Sequence, residues 1–130
     1  MRNVQLYYEA VNELLGEIVK ESIVTDEMLG ELIDDGSESA RAEEKEIYKA
    51  KLHMARERLK SLRSINHPKE AATIHSVFLK AFVLGVEARQ QEVAENFFAA
   101  SAAYELASKE LDQTGMMWDD LGIERYLKFK

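Results

Sequence analysis

The sequence predicts an all-α fold: a helical bundle of two or three long amphipathic helices plus short helices, packed antiparallel along coiled-coil-like seams. Three observations predict it. Only one proline and six glycines interrupt 130 residues. Apolar residues recur at alternating four- and three-residue steps, the period of a helix stripe. Strand-like alternation of β-branched residues is absent. A chain of this length reads as one domain, residues 1–130, long enough to bury a core without staples.

The first helix is expected from about Asn3 to Ser22, because Val4, Tyr8, Val11, Leu15 and Ile18 form one stripe. Thr25 before Asp26 and Glu27 has the form of an N-cap with acids in the first turn, which predicts a short second helix, Asp26 to Asp34. Gly36 ends it. Ser37 or Ser39 can cap a third helix that runs to about Ile65, where Asn66, His67 and Pro68 force a turn. Its stripe is Tyr48, Leu52, Ala55, Leu59 and Leu62.

After Pro68, a natural first-turn residue, no glycine-proline punctuation closes a helix until Thr114 and Gly115. Leu79, Val83, Val86, Gln90, Val93, Phe97, Ala100, Tyr104, Ala107 and Leu111 keep one heptad register. These predict a single helix of about 45 residues, roughly 65–70 Å at 1.5 Å per residue. A compact globule of this size has a radius of gyration of only about 14 Å. A fold-back between Gly85 and Gln91 is the alternative, but Glu87 to Glu95 contains no turn residue, so the intact rod is preferred. Such a rod overhangs its own domain and needs a second copy. A homodimer is therefore expected, with Val86, Gln90, Val93, Phe97 and Tyr104 in its seam and Gln90 paired across it. The tail, residues 116–130, adds a short helix.

Charge is unevenly spread: net −9 over residues 1–46, +6 over 47–80 and −4 over 81–130, for a total of −7. Glu9, Glu13, Glu17 and Glu21 step by four along the first helix, and Lys49, Lys51, Arg56, Arg58, Lys60 and Arg63 border the stripe of the third. Antiparallel pairing of the two helices accounts for both blocks. The alternative leaves Lys49, Arg56, Lys60 and Arg63 exposed as a face for an anionic partner. Nucleic acid is disfavoured as that partner by the net negative charge, the lack of a helix-turn-helix and the lack of aromatic residues among the cations.

No cysteine is present, so disulfides and thiolate sites are excluded. The first ten residues lack the apolar run of a secretory signal, and the most apolar window, Ile74 to Val86, is shorter than the roughly 20 residues that span a bilayer. A cytoplasmic location without membrane contact is the expectation.

No chemistry-bearing constellation holds together. Glu43, Glu46, His53 and Glu57 share an arc of about 80° at 100° per residue, but opposite the apolar stripe, as a solvated face would. Inward Glu-x-x-His ligation is absent. Glu43-x-x-Glu46 follows Glu31-x-x-Asp34, the reverse of the order that a helical pyrophosphohydrolase would use to converge carboxylates on magnesium. His67 is expected in a turn and His75 partly buried or at the surface, neither with a nucleophile at a defining spacing. The spacing Ala100, Tyr104, Ala107 resembles the second helix of a tetratricopeptide repeat, which implies tight packing on a neighbouring helix. The first-helix pattern is missing upstream, where Glu87, Ala88 and Gln91 stand, and no period of about 34 residues recurs.

The tail places Trp118, Tyr126 and Phe129 either on the bundle's own core or as anchors in a partner's groove. The expectation is thus a non-enzymatic helical protein-protein interaction module, an adaptor, chaperone-like or regulatory subunit that self-associates. No catalytic, metal or cofactor residue is assigned, and the protein partner is unknown. A nucleic-acid-associated regulator using the basic face of 49–63 is the first alternative. A metal-dependent hydrolase with an unrecognised carboxylate site is the second.

Overall fold

The computed structural model describes residues 2–123. Four α-helices make up almost all of that span: α1, Arg2–Asp35; α2, Glu38–Ser64; α3, Ala72–Val93; and α4, Phe97–Asp120. A 3-10 turn, Lys69–Ala71, leads into α3. Among the described residues there is no strand.

The expected break at Thr25 does not occur. The Thr25 hydroxyl donates to the carbonyls of Glu21 (2.9 Å) and Ser22 (3.3 Å), so it folds back on the preceding turn instead of capping a new one. The two expected helices are one, 34 residues long. Gly36 does stop it, at φ +67°, a left-handed conformation that costs glycine nothing. Ser37 then caps α2, its hydroxyl accepting from Ala40 N–H at 3.1 Å.

The expected 45-residue rod is overturned as well. The chain reverses at Ala94–Asn96, beyond the Gly85–Gln91 region weighed as the alternative. Asn96 N–H reaches back to Gln91 O at 2.8 Å and Glu95 N–H to Glu92 O at 3.0 Å, the Schellman pattern of a helix end. Glu95 occupies its left-handed position at φ 63°, where glycine is usual. Asn96 then caps α4, accepting from Ala99 N–H at 3.3 Å. The heptad stripe is folded against itself, so the overhanging rod that called for a second copy is not formed; Ala100 and Ala107 are buried, while Val83 and Phe97 stay 45% and 50% exposed. At the other end, α4 passes straight through Thr114 and Gly115, where a break was expected. The Thr114 hydroxyl donates to Leu111 O at 2.6 Å, and the helix closes at Gly122, φ 73°.

Successive helices run in opposite directions. Arg58 of α2 meets Glu17 (3.0 Å) and Glu21 of α1, while Lys51 meets Asp26 at 2.7 Å, so rising numbers in α2 match falling ones in α1. The antiparallel pairing inferred from the charge blocks is what the molecule has. Backbones pack closely between α1 and α2, α2 and α3, and α3 and α4, but among the described residues no Cα of α1 comes within 8 Å of one in α4. Side chains alone bridge that fourth side. Trp118 of α4 is the main bridge, with its ring centroid 5.8 Å from Tyr7, 4.9 Å edge-on from Tyr8 and 5.8 Å from Phe78. Around it lie Val4, Val11, Leu14, Leu62, Ile74 and Ile123, all buried.

The apolar stretch of the central helix is longer than Ile74 to Val86. Between Lys69 and Val93 an 18-residue window reaches a mean hydropathy of 1.4, long and apolar enough to cross a bilayer, and 39% of it is buried in the molecule. Ile74, His75, Phe78, Ala81, Phe82 and Ala88 are the residues that α3 buries.

Candidate functional site

The six cations that border the α2 stripe separate into two groups. Lys51 and Arg58 are spent on α1: the Lys51 side chain is only 6% exposed and held by Asp26, and Arg58 is clasped by two glutamates one helical turn apart. Lys49, Arg56, Lys60 and Arg63 are exposed, and Lys49 pairs within its own helix with Glu46 at 3.3 Å. Glu43, Glu46, His53 and Glu57 are exposed too, and among the described residues no group of three or more His, Asp or Glu is placed to hold a metal ion.

The residues assigned to a self-association seam are not brought together as a seam. Val86, Gln90 and Val93 lie on α3, whereas Phe97 and Tyr104 lie on α4 beyond the reversal. Val86 packs at the edge of the core, Gln90 is exposed, and the Phe97 ring lies 5.6 Å from Tyr48 of α2. Tyr104 forms part of a clasp across the hairpin: its hydroxyl donates to Glu92 at 3.2 Å, and the Arg89 guanidinium lies 4.9 Å above its ring while donating to Glu92 at 2.9 Å. Burial pushes the Tyr104 phenol far above its ordinary pKa, so it stays protonated and able to donate.

Trp118, assigned as a partner anchor, is 5% exposed and belongs to the core. Tyr126 and Phe129 lie outside the described residues.

A polar cluster that sequence spacing did not connect lies beside Trp118. Tyr7 Oη is 2.8 Å from His75 Nδ1, and the His67 ring stacks on His75 at 4.2 Å and 20°. Burial holds the Tyr7 phenol far above its ordinary pKa; burial, and then the neighbouring His67, hold His75 below its own. A phenol that resists ionisation beside an imidazole that resists protonation forms a buried hydrogen bond between two neutral groups.

Surface of a different kind runs along the outside of α1. Gly16, Val19, Ile23, Gly30 and Ile33 fall within an arc of about 100° at 100° per residue. Val19, Ile23 and Ile33 are 57–59% exposed. A Cβ added at Gly16 or Gly30 would meet nothing within 4 Å, so neither glycine serves internal packing. Glu13, Glu27, Glu31 and Asp34, all exposed, border the stripe on its outer side, with Lys20 as the cation among them.

Compared with family models, with curated proteins and with solved structures, the chain matches none.

Proposed function

We propose that the chain is a non-enzymatic helical interaction module whose outer α1 face receives a cationic amphipathic helix from another protein. The observation that carries it is the uncovered stripe of Val19, Ile23 and Ile33, edged by acids. Apolar side chains at this spacing fit the anchors of a helix laid in a groove. Glycines within the stripe let a neighbouring backbone approach closely. Charge selects the occupant. A second copy would set Glu13, Glu27, Glu31 and Asp34 against their own equivalents, whereas a helix edged by Lys or Arg relieves them.

The test is fluorescence anisotropy with a synthetic peptide of Leu and Lys in helical heptads, set against a scrambled peptide of the same composition. The heptad peptide is expected to bind, to weaken as salt rises, and to lose at least tenfold in affinity on the double variant Val19→Asp, Ile23→Asp. Equal binding of the scrambled peptide, or unchanged binding by the variant, overturns the proposal. So does sedimentation as a dimer that the same double variant dissociates, because the stripe would then belong to a second copy.

A further inference from the structure

The interior of the bundle is incompletely filled. A cavity of about 240 Å³, partly open to solvent, lies among all four helices, walled by Leu15 and Ile18 of α1, Met54 of α2, Phe82 of α3 and Leu111 of α4. An apolar protein cavity of roughly 150 Å³ already takes up benzene. Gly85 also lines the space, in the interior of α3, and a Cβ built on it meets nothing within 4 Å. Glycine within a helix is less stable than alanine and is explained where two backbones must touch or the chain must bend. No neighbouring backbone touches Gly85. The residue keeps room open.

Electrostatics decides what could enter. Lys51, Arg58 and Arg89 reach the cavity, and each already holds a carboxylate: Asp26 at 2.7 Å, Glu17 at 3.0 Å and Glu92 at 2.9 Å. A charged ligand would lose its water against cations whose charge is already met by carboxylates, and the donor left over is Arg58 Nε, buried without a hydrogen-bond partner. We propose that the cavity binds an uncharged medium-chain alkyl compound carrying at most one polar group. The volume equals about eight waters at roughly 30 Å³ each, room for an alkyl chain of about that many carbons. The site is separate from the outer face of α1, so either assignment can fail alone.

The probe is 1-octanol below its solubility limit, compared with octanoate and octylammonium by thermal melting of the whole chain. With octanol the melting temperature is expected to rise saturably, by about 2 °C or more, as it does when a ligand binds only the folded state. The two ions should do little. Gly85→Leu, which fills the space from α3, is expected to melt higher without ligand and to show no further rise; Ser108→Leu fills it from the α4 wall and serves if the first variant does not fold. Methyl NMR of the parent chain adds a readout independent of any variant: octanol should shift Leu15, Ile18 and Leu111 and leave Val4 and Ala71 in place. No melting shift, equal shifts in parent and filled variants, an ion that matches the alcohol, or methyl shifts spread over the whole molecule would each overturn the proposal.

Discussion

At His75 the fold excludes a proton. An imidazole with the ordinary pKa of 6.5 is lowered here, first by burial and then by the neighbouring His67. Below pH 6.5 the unfolded chain therefore takes up a proton that the folded chain refuses. The stability contributed by neutral His75 is complete above that pH and is lost as pH falls through the folded value. Carboxylates begin to titrate near about pH 5, so the interval from 6.5 down to there separates the histidines from the acids, and a variant at His75 singles out this one of the three. Melting temperature is expected to fall across that interval in the parent and to fall less in His75→Gln, which keeps a polar group opposite Tyr7 but cannot be protonated. Circular dichroism melts at half-unit steps of pH measure it; identical slopes in the two proteins would place the dependence elsewhere.

Among the elements, the α3–α4 reversal has the least expected chemistry. Glutamate in the left-handed region at Glu95 carries a Cβ clash that glycine lacks. Its ion pair with Lys45, at 3.8 Å with both side chains 61% exposed, offsets little of that. Glu95→Gly should stabilise the chain by about 0.5–1 kcal/mol, read by calorimetry as a rise of roughly 2–5 °C; a fall would mean that the ion pair outweighs the strain. This turn also marks how far sequence patterning reaches. Stops made by Gly36 and Pro68 were legible because glycine and proline change the backbone itself. The stop at Glu95 was not, since an ordinary residue holds the special conformation, and the available signal was Asn96, a good N-cap residue next in line. Thr25 shows the opposite error, for a threonine inside a helix has the same local sequence as one that starts it. The α1–α2 ion pairs could be anticipated from the charge blocks. The outer stripe of α1 could not, because Val19, Ile23 and Ile33 adjoin the core stripe and only the lack of a neighbour sets them apart. The cavity depends on the spacing between helices, which no single segment encodes.

For the molecule as a whole, α3 is the central member, close to both α2 and α4, while α1 is backed closely by α2 and by the turn before α3. Amides that open only with the whole fold should therefore concentrate in α3, and those from Val19 to Asp35 should exchange sooner. Hydrogen exchange followed by mass spectrometry is expected to rank α3 slowest and the second half of α1 fastest among the four helices. Equal protection in α1 and α3 would mean that the fourth side of the bundle is as tightly closed as the other three. The contact of Tyr7 with Trp118 also bears on topology. It joins the start of the first helix to the end of the last, so the backbone traces an almost closed ring, and the order of its segments is set by where that ring is cut. The two-residue link at Gly36 and Ser37 is a second place where a cut is compatible with the same helix packing.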